Sequence, residues 1–497
     1  MELIHHLALG FEVALSAQNL AYAFVGVLLG TLIGVLPGLG PVATIAMLLP
    51  GIYTLDATPA LIMLAGIYYG AQYGGSTTAI LINVPGESSS VVTAIDGYQM
   101  ARQGRAGAAL AAAGIGSFVA GCVGTVVIAA FAAPLTALAF QFGPAEYFSL
   151  MVLGLIGAVV LASGSLVKAV AMIVLGLLLG QVNTDVISGV QRYGFGLPEL
   201  SDGIGFVAIA MGVFGFGEII ATLGRPAEHR EVFTKSVTGL WPTRDDFRRA
   251  WPAVLRGTGL GAILGVLPGG GALLSSFASY SVEKKMRLAP GERPFGQGNI
   301  RGVAGPESAN NAGAQTSFIP MLTLGIPPNA VMALIIGAMT IKGIQPGPQV
   351  MANDPELFWG LIASMWVGND LPLIGIWIRL LTVPYRFLFP AIVAFCCIGL
   401  YTLNNSVFDV YMGALFAFVG YLFHKLGCEP APLLLGFILG PMMEENLRRA
   451  LLISRGDWGT FVSRPLSAGL LAAAALLVVV VMLPSIRSKR QVAFQEE

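Results

Sequence analysis

Hydrophobic residues run along this chain in long blocks, at roughly 20–36, 41–54, 59–83, 107–133, 146–163, 166–182, 203–222, 251–267, 270–281, 309–325, 329–345, 357–380, 387–403, 407–424, 430–443 and 466–484. A helix needs about 20 apolar residues to cross a hydrocarbon core. Several blocks reach that length, and several are too short to cross alone. No charged residue lies between Arg105 and Glu146, nor between Arg464 and Arg487. The pattern predicts an all-α polytopic membrane protein, with the polar stretches Arg225 to Arg249 and Glu283 to Arg301 as loops.

The blocks repeat. Gly30-Thr-Leu-Ile-Gly-Val-Leu-Pro-Gly-Leu-Gly40 matches Gly261-Ala-Ile-Leu-Gly-Val-Leu-Pro-Gly-Gly-Gly271 at an offset of 231, and Thr77 to Gly86 aligns more weakly with Ile319 to Pro328. Two related half-units follow, with the chain divided as 1–224 (first membrane repeat), 225–250 (cytoplasmic linker), 251–464 (second repeat) and 465–497 (final transmembrane helix and tail). Lys and Arg crowd both flanks of the second Gly-Val-Leu-Pro-Gly motif, from Arg225 to Arg256 and from Lys284 to Arg301, whereas the first is flanked by stretches with none. By the positive-inside rule the second motif is a re-entrant helical hairpin entering from the cytoplasm and the first enters from outside. That makes the halves an inverted repeat with broken helices. Arg448, Arg449, Arg455 and Arg464 fall outside on this scheme, against the rule.

Composition narrows the function. Of 497 residues, 55% are hydrophobic and 11% charged, against about 25% charged in ordinary soluble proteins. Lys+Arg and Asp+Glu balance at 27 each, so no basic surplus points to nucleic acid. The four cysteines and four histidines form no metal-ligand spacing. The start of the chain lacks the positive n-region of a cleaved signal peptide. Gly38-Leu-Gly-Pro-Val-Ala43 has dinucleotide-fingerprint spacing without a strand-helix-strand context, and Gly265 to Gly270 has P-loop spacing with Gly271 where the lysine belongs. No nucleotide site is expected, hence no transport powered by this chain's own ATP hydrolysis.

Four breaks carry the candidate chemistry: Pro37-Gly-Leu-Gly-Pro41, Asn83-Val-Pro-Gly-Glu-Ser-Ser-Ser90, Pro268-Gly-Gly-Gly271 and Gly325-Ile-Pro-Pro-Asn329. Backbone that leaves helical geometry at membrane depth is tolerated where it lines a cavity. Helix N-termini just after a break suit a carboxylate, and carbonyls before it suit Na+. The candidate substrate-binding residues are Gly38, Gly40, Ser76, Thr77, Thr78, Asn83, Pro85, Gly86 and Ser88 in the first half. In the second they are Gly269, Gly270, Gly271, Asn310, Asn311, Thr316, Ser317, Gly325, Pro327 and Asn329. The competing reading is close helix packing through small residues. Ionisable groups at depth are costly, which makes Glu307 and Asp370, with the hydroxyl of Thr323, candidate ion ligands. The plainer alternatives are an interfacial cap for Glu307 and pairing with Lys342 for Asp370.

At these same residues the sequence resembles the large membrane subunit of the tripartite tricarboxylate transporters, the TctA family. The supporting stretches are Gly34-Val-Leu-Pro-Gly-Leu-Gly-Pro41, Tyr69-Gly-Ala-Gln-Tyr-Gly-Gly-Ser-Thr-Thr78, Asn83-Val-Pro-Gly86 with Ala94-Ile-Asp-Gly-Tyr98, Gly265-Val-Leu-Pro-Gly269, Glu307-Ser-Ala-Asn-Asn311, Leu322-Thr-Leu-Gly-Ile-Pro327 and Gly343-Ile-Gln-Pro-Gly-Pro348. Pro328 departs from the family's pattern, which has Gly there. The resemblance implies a multi-pass permease of the bacterial cell inner membrane, working with a small TctB-like membrane subunit and a TctC-like periplasmic solute-binding protein. It also implies organic carboxylates as cargo and an ion gradient as the energy source. The expectation is a secondary transporter with no catalytic residues and no cofactor beyond bound Na+, driven by Na+ in preference to H+. A channel or a membrane-embedded enzyme are the alternatives.

Overall fold

The computed structural model describes residues 2–35, 40–83, 86–161, 165–185, 189–217, 219–220, 242–267, 271–368, 393–394, 397–402 and 404–482. Gly38, Pro85, Gly269, Gly270, Asp370 and residues 225–241 of the expected linker lie outside the described residues.

The first half runs α1 (Glu2–Ala14), α2 (Ala17–Gly34), α3 (Pro41–Ile52) and α4 (Ala57–Ile82); a 3-10 turn at Ser88–Ser90 then leads into α5 (Val91–Arg102) and α6 (Ala106–Ala139). Next come α7 (Pro144–Leu161), α8 (Leu166–Gly180) and α9 (Phe206–Ala210), which continues as a π-helical turn over Met211–Phe216. Between α8 and α9, strands β1 (Asn183–Thr184) and β2 (Gln191–Arg192) pair antiparallel. The second half holds α10 (Arg244–Leu264), α11 (Gly271–Lys285), α12 (Arg301–Thr316), α13 (Phe318–Leu324), α14 (Ala330–Ile341), α15 (Val350–Asn353) and α16 (Pro355–Gly368). It ends with α17 (Val407–Leu426), α18 (Ala431–Ile453), α19 (Thr460–Ser463) and α20 (Pro465–Met482). Among the described residues, α2, α6 and α17 are long and apolar enough to cross a membrane.

α10 begins earlier than the apolar block at 251 predicts. Thr243 Oγ1 accepts from the Asp246 backbone N–H at 3.1 Å, and Asp246 Oδ2 accepts from the Thr243 N–H at 3.2 Å. This reciprocal cap satisfies two of the first-turn donors, so the end of the expected linker is helix.

Glycine sets the main helix contacts, twice over. On α2, a Cβ at Gly26, Gly30 or Gly34 would stand 2.3, 2.3 or 2.4 Å from the backbone oxygens of Met63, Ile67 and Ala71 on α4. On α10, a Cβ at Gly257, Gly261 or Gly265 would stand 2.2, 2.2 or 2.4 Å from the backbone oxygens of Gly305, Ala309 and Gly313 on α12. Such contacts let backbones touch where lipid offers no hydrophobic drive to associate. The three pairs correspond one to one, at offsets of 231 for the first partner and 242 for the second. Smaller features obey the same offsets. Thr44 Oγ1 donates to the Gly40 carbonyl (2.9 Å) as Ser275 Oγ donates to that of Gly271 (2.7 Å). α4 closes on Asn83 at φ +56° as α13 closes on Gly325 at φ +70°, left-handed positions that Asn and Gly tolerate best.

α6, about 50 Å long at 1.5 Å per residue, separates two faces. At its start Arg105 pairs with Asp246, close to the base of the α10–α11 hairpin. On the same face Glu283, fully buried, takes Arg256 and Arg301, and Arg301 also reaches Glu292. Beyond the other end of α6, Glu146 pairs with Arg464. Gly143 there shares a cavity of about 600 Å3 with Gly343, Gln345 and Arg449. Lys342, one residue from Gly343, donates to the carbonyls of Tyr53 (2.6 Å) and Leu55, at the base of the α2–α3 hairpin. The bases of the α2–α3 pair and of the α10–α11 pair thus lie toward opposite ends of α6. Three of the four arginines that break the positive-inside rule are matched by acids: Arg448 with Asp185 and Glu444, Arg449 with Glu445, Arg464 with Glu146.

Candidate functional site

Both hairpins and both helix breaks reach one cavity of about 250 Å3. Gly40, Pro41 and Val42 line it from the start of α3, and Gly271, Ala272 and Leu273 from the start of α11. Glu87, Ser88 and Ser89 come from the break after α4, and Pro328 to Val331 from the break after α13. Tyr68 and Gln72 of α4, Ala158 of α7, and Glu429 with the first residues of α18 complete the wall. Among the described lining residues there is no Lys, Arg or His, and the two ionisable carboxyls are Glu87 and Glu429.

Local rules place these groups. Pro41 opens α3, with Gly40 extended before it; proline suits the first helical position because the N–H it lacks would be unpaired there anyway. Gly271 has φ +58°, and a Cβ on it would meet Asn329 Nδ2 at 3.0 Å. Asn329 caps α14 by accepting from the Met332 N–H at 3.0 Å, while its Nδ2 donates to Ser317 Oγ at 3.2 Å. Ser317 Oγ in turn lies 2.7 Å from the carbonyl oxygen of Gly313 and 3.1 Å from that of Gly265, either of which can take its one hydrogen, joining the base of the cavity wall to the second hairpin. Ser276 of α11 donates to the Ser89 carbonyl at 2.7 Å. The second hairpin therefore holds the first break directly.

A second polar cluster centres on Glu307 of α12, fully buried. Its carboxylate accepts from Ser76 of α4, from Thr93 of α5 and from Asn310 Nδ2 at 3.3 Å. Asn311 Nδ2 lies 2.7 Å from Ser117 Oγ on α6, 2.6 Å from Asn310 Oδ1 and 3.0 Å from the Glu307 carbonyl oxygen. Glu307 is thus a mid-helix hub that binds α4 and α5 to α12, where an interfacial cap was the plainer expectation.

Of the expected site residues, Gly40, Ser88, Gly271 and Asn329 line the cavity. Ser76, Asn310 and Asn311 belong to the Glu307 cluster, and Ser317 supports Asn329. Thr77, Thr78, Thr316 and Thr323 are spent on backbone carbonyls: Tyr73 (3.2 Å), Gly75 (3.0 Å), Ala312 (3.0 Å) and Ile319 (2.7 Å). Gly86 is buried where a Cβ would stand 1.9 Å from the Gly34 carbonyl oxygen, and Gly325 where it would stand 2.6 Å from that of Pro346. These two are packing glycines, and Pro327 is buried beside the second break while Asn83 is exposed. Glu87, Gln72, Tyr68 and Glu429 are cavity residues absent from the sequence-based set. Glu87 and Ser89 stand inside the quoted Asn83-to-Ser90 break, and Tyr68 and Gln72 lie one helical turn apart on the buried α4, the available signal.

The family model for the tripartite tricarboxylate transporter TctA family matches residues 20–435. An Agrobacterium vitis protein described as an uncharacterized 52.8 kDa protein in the TAR-I ttuC' 3' region is 60% identical over 503 residues, covering 100% of both chains. A second A. vitis protein, described as an uncharacterized protein in the TAR-II ttuC' 3' region, is 60% identical over 243 residues, covering 48% of this chain and 100% of its own. No solved structure matches. With an all-helical fold of apolar segments, and a family match over most of its length, the chain belongs to the TctA family, the large membrane subunit of the tripartite tricarboxylate transporters.

Proposed function

We propose that this chain is the permease of a binding-protein-dependent secondary transporter in the bacterial inner membrane, importing organic di- or tricarboxylates on a Na+ gradient. Its partners on this reading are a small TctB-like membrane subunit and a TctC-like periplasmic protein that delivers the solute. The observation that carries the proposal is the cavity joining all four breaks, with acidic but no basic side chains among its described lining residues. The N-termini of α3 and α11 open onto it, and such ends offer unpaired N–H groups and partial positive charge to a carboxylate. Fixed negative charge in the same wall means that an anion enters favourably only with a cation.

The twin glycine contacts at offsets 231 and 242, and hairpin bases toward opposite ends of α6, support an inverted repeat, with the site where the repeats meet. Glu307, whose carboxylate meets the hydroxyls of Ser76 and Thr93 and the Asn310 amide nitrogen, supplies one cation site within that core. The energetics ask for more than one. A charge moved across 100 mV is worth about 2.3 kcal/mol, so a dianion costs about 4.6 kcal/mol to import, and two cations cancel that opposition.

Counterflow in proteoliposomes holding both membrane subunits and the binding protein tests the class of activity. The proposal expects labelled carboxylate to exchange, chemically unchanged, against a solute gradient. Flux that cannot be driven uphill by counter-solute would make the chain a channel, and an altered solute would make it an enzyme.

A further inference from the structure

The cavity carries two cap residues that correspond by position and differ in chemistry. Glu87 and Asn329 are 242 positions apart, the offset shared by Asn83 and Gly325, and each immediately precedes the helix that leaves its break. Asn329 uses both ends of its amide on neighbouring protein groups. Glu87 makes no side-chain cap bond. Its carboxylate instead meets the hydroxyl of Ser89, which also lies 2.9 Å from Gln72 Oε1. Ser89 and Gln72 are 2% and 1% exposed. A hydroxyl has one hydrogen. With Gln72 presenting its carbonyl, Ser89 satisfies one of its two acceptors and leaves the other open. Three side-chain oxygens, one of them from a carboxyl group, therefore converge on the wall of a cavity whose described lining has no basic residue.

We infer that Glu87, with Ser89 and Gln72, binds Na+ in the transport cavity, as a second cation site beside that of Glu307. The inference rests on the proposed function and takes from it the need for two cations per dianion. Hard cations prefer carboxylate, hydroxyl and carbonyl oxygens, which is the set present. Occupancy at Glu87 neutralises the wall before a carboxylate enters, whereas an empty, charged Glu87 repels it. With the acid in one repeat and a neutral, protein-bonded amide in the other, the cation binds on the side of the first break. Solute then cannot cross without its coupling ion.

The test is binding of 22Na+ to the purified full-length permease with no carboxylate present, comparing wild type with Glu87→Gln, Glu307→Gln and the double variant. The expected result is that each single variant binds one Na+ fewer per chain and the double variant none. Gln72→Ala and Ser89→Ala keep the charge and remove one ligand each, and should weaken Na+ binding about tenfold. If Glu87→Gln does not yield folded protein, these two variants decide, and unchanged affinity in both overturns the inference. Wild-type stoichiometry in a folded Glu87→Gln protein overturns it too, as does a wild type that binds no Na+. Failure of the proposed function looks different: wild type binds Na+ normally, yet the complete transporter moves no carboxylate.

Discussion

Ser276 Oγ donates to the carbonyl oxygen of Ser89 at 2.7 Å, so a residue on the second hairpin fixes the backbone of the first helix break. The two lie 187 positions apart and both are buried. Ser276→Ala should cost about 1 kcal/mol, the net worth of one buried hydrogen bond, and slow uptake by loosening the wall that holds Glu87. Ser275→Ala, whose hydroxyl bonds the Gly271 carbonyl within its own helix, should cost less than half of that. Thermal melts of the two purified variants, followed by fluorescence-detected gel filtration, check the order.

Gly86 and Gly40 should respond in opposite ways to one added methyl group. A Cβ at Gly86 would stand 1.9 Å from the Gly34 carbonyl oxygen, whereas one at Gly40 meets nothing within 4 Å. Gly86→Ala is expected to lose at least 1–3 kcal/mol of stability, roughly the cost of overpacking, and to yield little folded protein. Gly40→Ala should fold like wild type. Expression yield and melting temperature distinguish them.

Arginine pairs of unequal burial should differ in worth. Glu283 is fully buried and its partner Arg301 is 8% exposed, while Arg449 and Glu445 are 60% and 50% exposed. Arg301→Met strands part of a buried carboxylate's charge and should cost about 3 kcal/mol. Arg449→Met should cost under about 1 kcal/mol. Equal melting temperatures for the two would mean that the buried network does not hold the hairpin base.

Membrane orientation is open to direct labelling. In a background without the native cysteines, a cysteine at exposed Pro290 should be modified only from the cytoplasm, and one at exposed Arg455 only from the periplasm. The expectation follows from the Lys/Arg crowding around α10 and α11 and from the placement of the α18–α19 connection beyond the far end of α6. Labelling of both from the same side would remove the opposite-entry reading of the hairpins.

Helix breaks were legible in sequence because Pro-Gly runs inside apolar blocks have few other readings, and Gly-Val-Leu-Pro-Gly stands out twice. The partners of the glycines were not, since Gly26 packs on the backbone oxygen of Met63, and a backbone atom leaves no mark on residue type. Hydroxyls were harder. Thr77 and Thr78 sit beside Ser76, yet they bond carbonyls three or four residues back while Ser76 also reaches Glu307. Back-bonding of this kind is available to any Ser or Thr on a helix, so sequence alone does not separate the three. Glu87 is an acid among serines at a break, and residue type alone does not show which groups face it. Only the convergence of α3, α11 and α14 on the same space reveals what surrounds it.

Carboxylate import coupled to Na+ is tested most directly by uptake into proteoliposomes containing both membrane subunits and the binding protein, with Na+ and H+ gradients imposed separately. An inward Na+ gradient should drive accumulation above equilibrium, and a pH step alone should not. With two cations per dianion, a membrane potential of either sign should leave the accumulation level unchanged. Uptake that follows the pH step and ignores Na+ would contradict the ion assignment, and accumulation with every ion gradient collapsed would contradict secondary transport itself.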